Sequence, residues 1–438
     1  MIVFIGVVLR LSMWKTYDVG WGYDAGSHLP YIDWFARHTW SLPPLSLSRA
    51  AYHPPLYYFI AGTLHALGLG WQALAGISVL CGIGKLGVIW WACERFLSSR
   101  LARLTALSLA AVLPSTMQLE GMVTNEGLSN LLSVLAMVVV LRLFVVEGRL
   151  GLALGLGLLL GLEVLTKVSG LALVGAVGLA ALWELAWKPR HVKAFLAGLV
   201  VLSATVGPYV VHNLRQHGRP FLSGYDGNDA DQAQVALQTP YLSRRPAAYV
   251  VGWTLSIYHS PYFPAGTVPQ PRFFPSLLAS TFVDAYHSGF SSPPRPGQPA
   301  VLANYQPLRP AALTFGRASV VGGTWIAAMT CAAWLVVWVG ALRRRDIGLM
   351  AVLLCPLLAL VGQLHFATAY PIDFEGPVKG VYMQFAAPPL FLLFGAAVDF
   401  CWRHGWPGRI AALSSLLALG LVASYTLYAR LITPFTIY

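Results

Sequence analysis

The sequence predicts an all-α polytopic membrane protein, and three observations carry that prediction. Of its 438 residues, 57% are hydrophobic and 11% charged, with a mean hydropathy of +0.63; in a soluble domain about a quarter are charged. Apolar runs of about twenty residues, enough to cross a hydrocarbon core roughly 30 Å thick, recur along most of the chain. Runs such as "LALGLGLLLGLEVL" lack the polar–apolar alternation of barrel strands, so in lipid their backbone must satisfy itself as helix.

About eleven spans are expected. They run from Met1 to Trp14, Trp71 to Glu94, Leu101 to Met117, Gly127 to Val146, Leu150 to Leu165, Ser169 to Trp187, Ala194 to His212, Ala318 to Leu342, Ile347 to His365, Val381 to Phe400 and Arg409 to Arg430. The first reaches only about 21 Å at the helical rise, which suits a tilted span or one that begins upstream. No basic stretch precedes it and no small-residue cleavage site follows, so it reads as a span rather than a secretory signal.

Two polar stretches, 15–70 and 213–317, interrupt a single transmembrane domain that occupies 1–438. In the first, "LPYIDWFARHTW" has the helical spacing of a segment lying in the interface. The second contains "SSPPRPGQP" but is rich in Tyr and Phe, unlike a flexible linker. Interfacial or re-entrant helices are expected near "PAAYVVGWTLSIY" and "FFPSLLASTFVDAYH". No internal repeat is visible, which weakens the case for a transporter built from inverted halves.

The net charge of +12 and pI near 9.6 do not indicate nucleic acid, because the basic residues are scattered between spans rather than striped along one face. Instead they set orientation. Arg95, Arg100 and Arg103, then Arg142 and Arg149, Lys188, Arg190 and Lys193, Arg343 to Arg345, and Arg403 and Arg409 fall in alternate short connections, which by the positive-inside rule are cytoplasmic. The intervening connections "STMQLEGMVTNEG" and "ATAYPIDFEGPVK" carry Glu120, Glu126, Asp373 and Glu375 against Lys379 alone. The N-terminus is then cytoplasmic in a multi-pass protein, of the plasma membrane in a prokaryote. Asp24, His28, His53, Glu120, Glu126, Lys167, Lys379 and both long loops share the extracytoplasmic face.

Cys81, Cys93, Cys331, Cys355 and Cys401 lie in or at the ends of spans without CxxC spacing, so neither a disulfide framework nor a thiolate metal site is expected. No Gly-rich phosphate loop, DxD pair, HExxH or GxSxG is present. Nucleotide-sugar use is unsupported and no cofactor is indicated; a divalent metal is unsupported but stays open, since His259, His287 and the acids of "GYDGNDADQ", Asp226, Asp229 and Asp231, fall on the outer face, where those acids read first as a solvated turn.

An acid at a membrane boundary is costly to bury unpaired, which marks Asp24 as functional; the plainer alternative is an N-cap for a helix beginning near Ser27. His28 would stack one helical turn above it. His53, before Pro54 and Pro55, reads as a positioned loop histidine. Glu126 suits either catalysis or the start of a span. Lys167 at a span end could pair with Glu163, and Lys85, deep in the second span, is expected to snorkel or find a partner inside the bundle.

These residues fall in motifs that resemble a known family. The pattern "DAGSHLPYIDWFA…LP…YHPPLYYFIAG" resembles the first outer loop of the polyprenyl-phosphate-sugar-dependent GT-C glycosyltransferases, in the branch of the protein O-mannosyltransferases and the lipid A aminoarabinose transferase. "GLEVLTKVSG", "VVHNLRQHGRPF" and "KGVYMQFAAPPLFLLF" are similar to later motifs of that family, in the same order. The resemblance implies a GT-C-type fold and inverting transfer of a sugar from a polyprenyl-phosphate donor to a hydroxyl of a protein, glycan or lipid acceptor, on the extracytoplasmic face. It places Asp24 at the catalytic aspartate, with His28 and Glu126 beside it as catalytic candidates. Lys167, Arg215, Lys379, Tyr382 and His53 become the substrate-binding candidates. Ala25 stands where the family frequently has a second acid, so a paired-carboxylate metal site is unsupported; Lys379 stands where arginine is usual, replacing a bidentate fork with a point charge.

The chemistry asks for the same groups. A carboxylate must take the proton of a weakly nucleophilic hydroxyl, and fixed cations must meet the charge developing on a departing phosphate. Trp21, Tyr23, Tyr57 and Tyr58 would suit stacking on sugar faces or an interfacial belt. Two rivals remain at this stage: an outer-face glycan polymerase or ligase using Arg215, Arg219, Arg244 and Arg245, and a non-enzymatic lipid or solute transporter.

Overall fold

The computed structural model describes residues 1–16, 19, 24–38, 41–145, 149–223, 226, 238–261, 272–283, 310–371 and 378–429. All regular elements among them are helices. In chain order these are α1 (Ile2–Thr16), α2 (Ala25–Arg37), α3 (Leu56–Ala66), α4 (Trp71–Phe96), α5 (Arg100–Val112), α6 (Pro114–Leu119), α7 (Glu126–Leu143), α8 (Leu150–Thr166), α9 (Leu171–Trp187) and α10 (Val192–His217). There follow α11 (Ala247–Val251), α12 (Ser256–His259), α13 (Phe273–Phe282), α14 (Pro310–Arg344), α15 (Ile347–Ala369), α16 (Pro388–Arg403) and α17 (Gly405–Leu427).

Each expected span coincides with a helix, but the count of eleven does not carry over. Among the described residues, seven helical segments are long and apolar enough to cross a membrane, and an eighth is added if Gly380–Ala386 and α16, bent by 81° at their junction, form one span. The shortfall has local causes. Helix α8 has only 17 residues, α1 has 15, and the expected span from Leu101 to Met117 is broken: Leu113 is extended at φ −60° and ψ 120°, and Pro114 opens α6. A residue before proline is pushed out of the helical region, which ends α5 there. Of the helices expected in the second long loop, α11, α12 and α13 are present, while "SSPPRPGQP", Asp229, Asp231, His287, Asp373 and Glu375 lie outside the described residues.

Helix ends follow short-range chemistry. Ser99 accepts from Ala102 N at 3.0 Å at the start of α5, and Asp346 accepts from Leu349 N at 3.0 Å at the start of α15, both N-caps. Gly218, at φ +69°, closes α10, a conformation that costs glycine little. Contact between α8 and α10 is set by small residues. Ala153, Gly157 and Gly161 recur every fourth position on α8; a Cβ on Gly198 of α10 would lie 2.7 Å from the Ala153 carbonyl oxygen. Lipid tails are as apolar as the helices, so close backbone approach of this kind supplies the packing.

Antiparallel pairing orders the two ends of the bundle. Helix α7 runs from Glu126 to the Arg142 turn and α8 returns from Arg149 to Lys167, so Glu126 and Lys167 share the end opposite the arginine-bearing turns. At that far end Arg149 Nη1 lies 3.0 Å from Glu184 Oε1, joined by Lys188 at 3.4 Å and His191 at 3.1 Å, a staple across α8, α9 and the turn before α10.

Glu120 departs from the sequence reading. Expected in an outward loop with Glu126, it is 0% exposed: its Oε2 lies 2.6 Å from Arg10 Nε of α1 and its Oε1 2.5 Å from Lys85 Nζ of α4. Lys85 thus finds its partner inside the bundle. Gly82 makes room for it, since a Cβ there would sit 2.5 Å from the Glu120 carboxyl carbon.

Candidate active site

The floor of the site is the α2–α3 pair. Tyr31, Ile32, Phe35, Tyr57, Tyr58 and Ala61 pack with Leu74 and Ala75 of α4 and with Val123 into one apolar cluster. Tyr57 and Tyr58 are fully buried, so they build this cluster rather than a sugar-stacking surface; Trp21 and Tyr23 lie outside the described residues. Asp24 stands at the exposed start of α2, one turn before His28. It occupies the N-cap position, yet its carboxylate makes no cap hydrogen bond, and its backbone is left-handed at φ +54° and ψ 16°. Aspartate is one of the few residues that tolerate that region. Its charge acts on His28, Tyr58 and Glu126.

His28 is buried between two hydroxyls: Nδ1 lies 2.7 Å from the Tyr58 hydroxyl and Nε2 3.4 Å from that of Thr124. Its ring stacks with His53 at 5.9 Å and with Tyr58 at 5.7 Å. Burial lowers the His28 pKa to about 4, with Asp24 opposing and Lys167 assisting. His53 is pushed well below the ordinary histidine value by burial and by the charges of His28 and Lys167, and its carbonyl accepts from the Tyr31 hydroxyl at 3.1 Å. Both imidazoles are therefore neutral at pH 7.

A pH prediction follows. Between about pH 6.5 and about pH 4 the unfolded His28 binds a proton that the folded one refuses, so its contribution to stability is present above pH 6.5 and is lost as pH falls towards 4. The expected size is on the order of 3 kcal/mol. Thermal midpoints across this range should drop less steeply for His28→Gln than for the parent; parallel curves would show that the histidine is not buried neutral.

The opposite wall comes from α7, α8 and the turn before α16. Glu126, first residue of α7, and Lys167, just past α8, form a buried ion pair. Lys167 is thus not paired with Glu163: that carboxylate accepts from the Ser129 hydroxyl at 2.7 Å, and only the backbones of Lys167 and Glu163 bond, at 2.8 Å. The Lys167 ammonium also lies 4.8 Å from the Tyr382 ring centre, and that of Lys379 5.7 Å from the same ring, so one aromatic ring gathers both lysines. The 3-10 turn Gly380–Ala386 is pinned on two sides: Gly380 N donates to Ser280 Oγ at 2.8 Å, and Gln384 bonds Ser115 at 2.9 Å and Thr116 at 2.6 Å.

Asp24, His28, His53, Glu126, Lys167, Lys379 and Tyr382 are therefore linked through one set of contacts and charges. Arg215 is not brought into it; it is exposed in the last turn of α10. The other arginines of the polymerase or ligase alternative are engaged elsewhere. Arg219 pairs with Asp226 at 2.7 Å, while Arg244 and Arg245 donate to the carbonyls of Ala369 and Ala367 that close α15. Thr124, which meets His28, was passed over in the sequence although it stands in "VTNEGLSN"; a lone threonine carries no signal of its own. Among the described residues no three His, Cys, Asp or Glu side chains are grouped to hold a metal ion.

Residues 52–211 match the family model described as dolichyl-phosphate-mannose-protein mannosyltransferase. Over 100% of its length the chain aligns with 75% of the apo crystal structure of ArnT from Cupriavidus metallidurans, at 15% identity and a TM-score of 0.53. The chain has a GT-C fold. The structure of the same ArnT bound to undecaprenyl phosphate is similar over 100% of this chain and 75% of that one, at 15% identity and a TM-score of 0.51. No curated protein sequence matches the chain. The GT-C-type fold expected from the motifs is thus borne out. The matched family is one of glycosyltransferases, and its segment takes in His53, Glu126 and Lys167. Asp24, His28, Arg215, Lys379 and Tyr382 lie outside that segment, so the placement of these five rests on motif resemblance, joined by the geometry above for all but Arg215.

Proposed function

We propose that this chain is an inverting glycosyltransferase of the extracytoplasmic face that moves a sugar from a polyprenyl-phosphate carrier to an acceptor hydroxyl. The observation that carries the reading is an exposed carboxylate, Asp24, whose charge reaches His28 and Glu126, while Glu126 pairs with Lys167 and Tyr382 gathers Lys167 and Lys379. The acceptor oxygen forms the new bond to the anomeric carbon as its proton passes to Asp24. The bond from that carbon to the phosphate oxygen breaks on the opposite side, and the negative charge left on the phosphate is met by Lys167 and Lys379. One displacement inverts the anomeric centre.

Glu126 holds Lys167 until the phosphate arrives; shared between the two anions, the ammonium then loosens its hold on Glu126, which is free to orient the acceptor or the sugar. Neutral His28 fixes the start of α2 through Tyr58 and Thr124, keeping Asp24 at the rim. Arg215 remains a candidate for the lipid phosphate only if the acceptor or donor draws the end of α10 inward. The orientation follows from the basic turns at the bundle end opposite Glu126 and Lys167.

The test is transfer of label, in membranes containing the chain, from a polyprenyl-phosphate-linked sugar to a hydroxyl acceptor of the cell envelope, followed by mass spectrometry of glycans and glycolipids. Label is expected to move from the lipid and not from a nucleotide sugar; transfer from the nucleotide sugar alone would overturn the reading.

A further inference from the structure

Glu120, Arg10 and Lys85 take no part in the chemistry just described, yet all three are sealed inside the bundle, at 0%, 0% and 1% exposed. Their position suggests a task. Glu120 ends α6, and five non-helical residues, Gly121 to Asn125, separate it from Glu126 at the start of α7. Every residue from Leu113 to Gly127 is buried. Irregular backbone at membrane depth persists only where protein encloses it and satisfies its polar groups.

The far end of this turn is tied to the site: Ser78 donates to the Thr124 carbonyl at 3.3 Å, Asn125 donates to the Thr166 carbonyl at 3.0 Å, and Glu126 pairs with Lys167. At its near end Glu120 ties it to two helices at once, one carboxylate oxygen to Arg10 of α1 and the other to Lys85 of α4. Arg10 further donates to Gly6 O at 2.9 Å and reaches Ala111 O of α5 at 3.5 Å. Replacing a buried charge cluster with apolar residues is often neutral or stabilising. Stability alone therefore gives no reason for three ionised side chains here; fixing one register of the turn does.

We propose that Glu120 is a positioning residue for Glu126, the Arg10–Glu120–Lys85 triad setting the turn that presents Thr124 to His28 and Glu126 to Lys167. This rests on the reading of Glu126 and Lys167 as the phosphate end of the site. The test compares the parent with the triple variant Arg10→Met, Lys85→Met, Glu120→Gln, which removes all three charges and leaves none unpaired. Two measurements are made in detergent on the full chain: amide hydrogen exchange across 121–126 and affinity for undecaprenyl phosphate. The expected result is a parent-like thermal midpoint, exchange in the turn faster by about tenfold, and affinity weaker by about five- to tenfold.

Parent-like exchange with parent-like affinity would overturn the proposal and leave the triad a structural element only. Faster exchange with unchanged affinity would support the positioning of the turn and overturn the reading of Glu126 and Lys167 as the phosphate end. If the triple variant fails to accumulate, Glu120→Asp, which keeps the charge but shortens the arm, is measured the same way. Faster exchange in the turn supports the proposal, and parent-like exchange overturns it.

Discussion

Asp24→Asn is expected to reduce sugar transfer by about a thousandfold, within the range that general-base catalysis contributes, while the protein folds and inserts as the parent does. Asp24 is exposed, its carboxylate makes no cap hydrogen bond, and its backbone is at φ +54°. Asparagine also tolerates this region, so the substitution removes a proton acceptor without straining the start of α2. The measurement is initial rate of transfer in membranes normalised to protein amount, with Arg244→Ala alongside. Arg244 closes α15 by donating to Ala369 O at 2.9 Å, so its loss should cost stability and spare transfer. Should Asp24→Asn keep its rate while Arg244→Ala loses it, the polymerase or ligase alternative takes over.

The second large effect concerns Lys167. Lys167→Met should lower thermal stability by about 3–5 kcal/mol, because Glu126 is left as a buried carboxylate without its cation. It should also reduce transfer at least about a hundredfold through lost stabilisation of the departing phosphate. The two effects separate in the double variant Lys167→Met, Glu126→Gln. With both charges gone, most of the stability returns, whereas transfer stays low. A double variant that regained the parent's rate would show the pair to be a structural bridge, and phosphate capture would then have to rest on Lys379.

The arrangement also bears on the transporter alternative. Charges inside a membrane bundle commonly mark a path for ions or solutes. Here Arg10, Lys85 and Glu120 are paired with one another and sealed from solvent, so they provide clamping rather than a route. Glu163, bonded to Ser129, is likewise enclosed between α7 and α8.

Hydropathy, basic turns and local motifs determined the membrane class, the place of the long helices and the set of residues worth testing, because span length and motif order are properties of contiguous sequence. Seven of the eight site candidates meet, and the sequence selected them from resemblance and charge without knowing any distance. Tertiary structure alone decided the rest. Pairing is a contest between partners that are distant in the chain: Glu163 sits one turn from Lys167, yet the ammonium goes to Glu126 across α7 and α8. Glu120 looked like a loop acid because nothing local reveals that Arg10 and Lys85, on two other helices, converge on it; the cost of an unpaired charge in a dry interior draws all three together. The break before Pro114 and the 81° bend at the start of α16 were invisible to a hydropathy window, which averages over the very residues where the backbone turns.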